Sequence, residues 1–246
     1  MFTAIKKTLL ISTILSASFA MPTYAADAAK DQTTVVLVHG AFADGSSWNK
    51  VIKLLQEKHI NVVSVQNPLT SLNDDVVAAQ RVINDQTGPV VLVGHSWGGT
   101  VITQAGNSDK VKALVYVAAF APSEGERSGE LGKDYPVTPG ITTLQGDAAG
   151  FLTLPAASVA ANFAQDLPVA EAKVLAATQG AIQAKAFGEP VTVAAWRNTK
   201  NYYIVSANDR MIDPNLERAM AKKINAETTV LKTSHVAMLS QPKEVA

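Results

Sequence analysis

Apolar residues recur along this chain in two alternating rhythms. Thr33-Thr34-Val35-Val36-Leu37-Val38, Asn61 to Val65, Pro89-Val90-Val91-Leu92-Val93 and Val111 to Val117 are short runs rich in β-branched residues. The first three end at His39-Gly40, Asn67-Pro68 and Gly94. Runs of that length without polar alternation predict strands buried on both faces. Between them the spacing becomes helical. A helix is predicted from about Ser47 to Lys58, with Trp48, Val51, Ile52, Leu54 and Leu55 inward. Another is predicted over Leu72 to Asn84, with Asn73 as its cap and Val76, Val77, Ala79 and Ile83 apolar. A third follows Ser96. The rhythm resumes late, with a strand over Asn201 to Ser206, a helix from about Asp213 to Asn225 and a strand over Thr228 to Leu231. Strands alternating with helices predict an α/β fold: a mostly parallel six-stranded sheet flanked by helices, with right-handed crossovers. Ligands of such sheets gather at the carboxyl ends of the strands.

From 121 to 195 the rhythm is lost. Glycines and prolines punctuate the first half, alanine-rich helical stretches fill the second, and no strand pair is evident. This segment is expected to be a helical cap inserted after the fourth strand, over a core formed by 26–120 and 196–246. The last residues, from Ser240 to Ala246, begin a helix with room for hardly a turn.

At 246 residues, 47% apolar and 17% charged, the chain can bury a full core and is not of disordered composition. Lys and Arg balance Asp and Glu at 21 each, so neither nucleic acid nor an anionic membrane surface is an expected partner. The amino-terminal residues are expected to be removed. Lys6 and Lys7 precede an apolar run from Thr8 to Ala20, too short to span a bilayer, and Thr23-Tyr24-Ala25 offers a cleavage site. Residues 1–25 therefore read as a signal peptide, with cleavage after Ala25 preferred over Ala20 and no stable membrane anchor left behind. Losing them removes two lysines and leaves 19 positive against 21 negative charges. The absence of cysteine excludes disulfides, thiolate metal sites and a cysteine nucleophile, and suits an oxidising compartment. A periplasmic or secreted location follows as the expectation.

Chemistry concentrates at Gly94-His95-Ser96-Trp97-Gly98, which stands between a predicted strand and a predicted helix. That context turns the chain so sharply that the serine hydroxyl projects from the sheet as a nucleophile. A serine hydroxyl needs a base, and the base needs an orienting carboxylate. Of four histidines, His59 ends a charged helix and reads as a surface residue. His95 is adjacent to Ser96 and points elsewhere, which suits a structural role. His39 ends the first strand and helps shape its loop. His235 follows the last strand in an uncharged loop at the catalytic edge and is the expected base. Asp209 follows the strand ending at Ser206 and precedes His235 by 26 residues, giving the order Ser, Asp, His. Its rival, Asp213, stands before Pro214 and is accounted for as a helix N-cap. Amides of Trp97 and of the loop Gly40-Ala41-Phe42 are expected to form an oxyanion hole, with Ala41 or Phe42 as the loop donor. Phe42, Trp97, Phe120 and Trp196 are candidates for an apolar substrate pocket, although core packing accounts equally well for Phe120 and Trp196.

Together these residues resemble the α/β-hydrolase superfamily from about Thr33 to Val245. Within it the chain resembles the small serine esterase branch that also holds plant methylesterases and hydroxynitrile lyases. The resemblance rests on Val38-His39-Gly40-Ala41-Phe42 with Trp48, on Gly94-His95-Ser96-Trp97-Gly98-Gly99 and on Val117-Ala118-Ala119-Phe120-Ala121-Pro122. It continues through Tyr203-Ile204-Val205 with Asp209-Arg210-Met211-Ile212 to Ser234-His235-Val236-Ala237-Met238-Leu239-Ser240-Gln241-Pro242. It implies a Ser96–His235–Asp209 triad, oxyanion amides at Ala41 or Phe42 and at Trp97, and no cofactor or metal. The lyase members carry a lysine after the catalytic histidine and a threonine in place of Gly40; this chain has Val236 and Gly40, which disfavours cyanohydrin cleavage. The expectation is a serine hydrolase that cleaves a small, largely apolar carboxylic ester through an acyl-enzyme. A lactonase, an amidase or a cofactor-free lyase is the enzymatic alternative, and a catalytically silent binding protein the non-enzymatic one. The expected partner is the small-molecule ester, and a homodimer is left open.

Overall fold

The computed structural model describes residues 32–246, so the signal peptide expected over 1–25 lies outside the described residues. Six strands form the central sheet: β1 (Thr34–Val38), β2 (Asn61–Val65), β3 (Val90–His95), β4 (Val111–Val117), β8 (Lys200–Ser206) and β9 (Glu227–Leu231). Their order is β2-β1-β3-β4-β8-β9, and all five pairings are parallel. The order reverses between β1 and β3, which opens a crevice outside their carboxyl ends. Register pairs Val38 with Gly94, His95 with Val117 and Ser206 with Leu231. The loops after β1, β3, β8 and β9 therefore leave the sheet at one edge.

Long crossover helices cover both faces: α1 (Asn49–Glu57), α2 (Leu72–Asp85), α3 (Trp97–Ala105) and α5 (Pro214–Lys223). The first begins later than its apolar period suggests, because Gly45–Trp48 forms a single 3-10 turn capped by Asp44. The cap of α2 is Ser71, whose hydroxyl accepts from the Asp74 amide at 3.0 Å; Asn73 already lies inside the helix. Asp213 caps α5 by accepting from the Asn215 amide at 2.7 Å, with Pro214 in the first turn. Trp48, Trp97, Tyr116 and Tyr203 are buried, and the two tyrosine rings stack at 6.0 Å between β4 and β8. At the carboxyl end, Pro242–Val245 makes one helical turn that packs toward α1.

The segment between β4 and β8 contains α4 (Val169–Thr178), a π-helical turn over Val159–Phe163 and several 3-10 turns. It also contains strands that its sequence does not reveal. β5 (Gln145–Gly146), β6 (Phe151–Thr153) and β7 (Ile182–Gln183) form a small antiparallel sheet. Strands of two or three residues are too short to display a period of two, and two of the three are joined across α4.

At the tip of β3 the turn leaves almost no space. A Cβ on Gly98 would stand 2.5 Å from the Val38 carbonyl oxygen, and one on Gly99 would stand 2.3 Å from that of Phe120. Both obstacles are backbone and cannot swing away. Gly99→Ala should therefore cost ~1–3 kcal/mol of unfolding free energy, read as a lower urea midpoint. Gly132→Ala, whose Cβ would meet only Leu216 at 3.8 Å, should stay within about 0.5 kcal/mol of the parent.

Candidate active site

Ser96 begins where β3 ends and α3 starts, with φ 53° and ψ −121°. A non-glycine residue in that region is strained by ~1–3 kcal/mol and needs its surroundings to hold it. They do so by hydrogen bonds: the Ser96 amide donates to the Val117 carbonyl at 3.2 Å, and the Ser96 carbonyl accepts from Gly99 at 2.9 Å and Phe120 at 3.2 Å. Ser96 keeps 8% of its surface exposed, facing a cavity of about 410 Å³ that His235 also lines.

His235 and Asp209, expected from their order alone, meet. His235 Nδ1 donates to Asp209 Oδ2 at 2.5 Å, with both side chains buried. The other oxygen, Asp209 Oδ1, accepts from the Met211 amide at 2.6 Å and the Ile212 amide at 3.0 Å. Three donors thus converge on one carboxylate. Asp213 lines the cavity, but its carboxylate is engaged in capping α5.

The other buried histidines shape the frame. His95 Nε2–H donates to the His235 backbone carbonyl at 2.9 Å, and burial, then the nearby His235, drives its pKa well below the usual histidine value. It is a neutral strut beneath the His235 loop. His39 Nε2 accepts from the Asn67 amide and its Nδ1 donates to the Gly40 carbonyl, each at 2.9 Å. Burial lowers its pKa too. His59 is exposed on the surface after α1.

The aromatic candidates separate. Ala41, Phe42 and Phe120 line the cavity with Ser96. Trp97 does not: its side chain is fully buried, its indole N–H donates to Asp75 at 2.7 Å, and its ring meets Phe187 edge-on at 5.2 Å. Trp196 is also elsewhere, with its N–H on the Pro122 carbonyl at 2.8 Å and its surface on a polar groove with Lys200 and Lys223. An aromatic residue's type alone does not reveal which shell it occupies. The Phe42 amide donates to the Gly180 carbonyl at 3.2 Å, so the oxyanion loop is tied to the cap through that residue.

Four residues at the site escape a reading of motifs. Asp166, on the cap, accepts from the Ser234 amide at 2.7 Å and the Ser240 hydroxyl at 2.8 Å, clamping the His235 loop. Phe163 packs 5.2 Å from the His235 ring. Asp75 accepts from the Leu69 amide and the Trp97 indole, each at 2.7 Å. Glu217 lies buried on α5. In sequence each acid resembles an ordinary helix or loop charge, and only Asp75's place in the apolar rhythm of α2 hints at burial. Among the described residues, no cluster of three or more His, Asp or Glu could hold a metal.

Comparison with known proteins bears on the same frame. The profile of the alpha/beta hydrolase family matches residues 35–246. A probable hydrolase, R7, from Phoma sp. is 28% identical over 229 residues, covering 83% of this chain and 88% of that one. Polyneuridine aldehyde esterase shares the fold with a TM-score of 0.75 at 20% identity, over 87% of this chain and 96% of the other. A pyrethroid hydrolase from Sphingobium faniae does so with a TM-score of 0.71 at 20% identity, over 87% and 94%.

Asp75 generates a prediction of its own. Burial pushes its pKa from 3.8 up to about 6, against the two hydrogen bonds that pull it down. The folded state therefore holds that proton more tightly than the unfolded chain, and this group's contribution to stability falls as pH rises from 3.8 to about 6. Asp75→Asn should abolish that part of the pH slope in urea unfolding. Because its amide N–H₂ would confront one of the two donors, the variant should also lose ~1–3 kcal/mol at neutral pH.

Proposed function

This chain belongs to the α/β-hydrolase family, and on that premise we propose that it is a serine esterase acting on small, largely apolar carboxylic esters. The observation that carries the reading is the 2.5 Å His235–Asp209 pair at the cavity that Ser96 enters from its strained turn. Ser96 Oγ attacks the ester carbonyl carbon as its proton passes to His235 Nε2, and Asp209 stabilises the imidazolium. The carbonyl oxygen becomes an oxyanion. The amides of Ala41 and Trp97 are the donors proposed to receive it, since Phe42's amide is engaged with Gly180. Collapse breaks the ester C–O bond, and the leaving alkoxide takes the proton from His235. Water then attacks the acyl-enzyme by the same relay, releasing the acid and restoring Ser96.

The cavity wall supports an apolar substrate. Phe42, Phe120, Leu144, Leu152, Phe187 and Met211 contribute to it, and among the described residues Lys133 and Asp213 are the lysine and carboxylate that join them, beside His235. The relatives are named as hydrolases and esterases, which supports the reaction class. Lyase chemistry is less well supported. A Cβ on Gly40 would lie 2.7 Å from Ser96 Cβ and 3.0 Å from the His95 carbonyl oxygen, so the threonine of the lyase pattern would not fit here without a backbone shift. The charge and apolar pattern of residues 1–25 supports export to the periplasm or medium.

Ser96→Ala should lower kcat toward p-nitrophenyl esters by ~10⁵ to 10⁶ and abolish labelling by an organophosphonate, detected by mass. Residual activity within tenfold of the parent would overturn the triad. Measured across matched acyl groups, ester turnover should exceed amide and lactone turnover; the reverse order would favour the amidase or lactonase.

A further inference from the structure

Glu217 has no part in the mechanism above, yet its side chain lies in the same buried layer. It projects from α5 toward the end of β8 and is fully buried. Its Oε2 accepts from the Ser206 amide at 2.9 Å, while Oε1 receives no hydrogen bond. Its carboxyl stands within hydrogen-bonding reach of Asp209. No lysine or arginine forms an ion pair with either acid among the described residues.

Two buried carboxyls in contact cannot both carry charge, so one of them keeps a proton. The donors decide which. Asp209 is met by two amides and the His235 imidazole; Glu217 is met by one amide. Of the four oxygens of these two acids, the one without a partner is Glu217 Oε1, where a proton would give it a hydrogen bond to make. We propose that Glu217 is a neutral carboxylic acid whose Oε1–H donates to Asp209, a positioning residue that keeps the triad carboxylate aimed at His235.

The surrounding electrostatics agree. Burial first, and the Asp209 charge second, raise Glu217 well above the usual carboxylate range. The groups facing it are Asp209 with His235 behind, the Tyr203 phenol on β8 and, stacked on that ring, Tyr116 on β4. Both phenols are neutral, their pKa values raised chiefly by burial. Arg218, exposed on the next residue of α5, pulls in the opposite direction and only weakly. A carboxyl that binds its proton more tightly when folded contributes its full stability below the pH where free glutamate titrates. That contribution is lost as pH rises toward the folded value.

Glutamine keeps a donor at this position and has no proton to lose, whereas leucine keeps only bulk. With the full chain at neutral pH, infrared difference spectra between the parent and Glu217→Gln should contain the carbonyl band of a protonated carboxylic acid, belonging to the parent alone. Glu217→Leu should lower kcat on a p-nitrophenyl ester ~10- to 100-fold with KM nearly unmoved, as expected for losing one hydrogen bond to a charged group. Glu217→Gln should recover most of that kcat, and its stability relative to the parent should grow as pH rises above the range where free glutamate titrates. Absence of the acid band, or a glutamine variant more than ~10-fold slower than the parent, would overturn the assignment, and both readings stand even if the leucine variant fails to fold. The assignment rests on the triad reading, but the two fail separately. Parental activity in Ser96→Ala overturns the triad, while a missing acid band in a protein that needs Ser96 overturns Glu217 alone.

Discussion

The backbone at Ser96 runs against its own preference, and the surrounding architecture exists in the form that holds it there. At φ 53° a residue with a Cβ is displaced from the broad wells by ~1–3 kcal/mol. Three backbone hydrogen bonds tie the serine to the end of β4 and to the first turn of α3. They form only if α3 lies against the ends of β1 and β4, so closely that Gly98 and Gly99 touch carbonyls with no room for a methyl group. The turn in exchange places a hydroxyl at a helix amino terminus, at the point where strand order reverses. Helix packing, strand order and the exposure of one oxygen are therefore a single constraint.

Around that oxygen, burial sorts the ionisable groups by the partners each has. His39 and His95 are buried with neutral partners, so desolvation keeps both uncharged and each ring is fixed by the carbonyl it donates to. Among the described residues only His235 is bonded to a carboxylate. A positive charge that develops on an imidazole is therefore compensated at one ring and no other. The buried acids Asp75 and Asp209 also differ in the donors that meet them. Asp75 has two donors and is still raised to about 6 by desolvation. Asp209 has a third, the imidazole itself.

Much of this was legible in the sequence because it is written in backbone requirements. The β-branched runs, the glycines around Ser96, the Asp213-Pro214 helix start and the order Ser96, Asp209, His235 each reflect a local rule, and the strands and helices lie within a few residues of where those rules put them. The small cap sheet was not legible, since strands of two or three residues carry no period. Nor was the sorting of the aromatics. Trp97 and Phe120 look alike as neighbours of the motif blocks, but the first turns inward to Asp75 and the second faces the cavity. Glu217 and Asp166 were invisible for a related reason: a lone acid on an amphipathic helix or in a loop reads as solvated until a distant segment buries it.

That last group shows why the cap is more than a cover. Asp166 holds the His235 loop at two points, Phe163 packs on the His235 ring, and the Gly180 carbonyl receives the Phe42 amide. Phe187, from the same insertion, both lines the cavity and rests on the Trp97 indole. The segment that gives the pocket its shape is thus bonded to the loops that carry the proposed base and oxyanion donors. Close-packed contacts of this kind move in discrete steps. A change in the cap that reshapes the pocket therefore acts also on the aim of His235, the proposed base, so the pocket and the proposed triad are physically coupled through the same few residues.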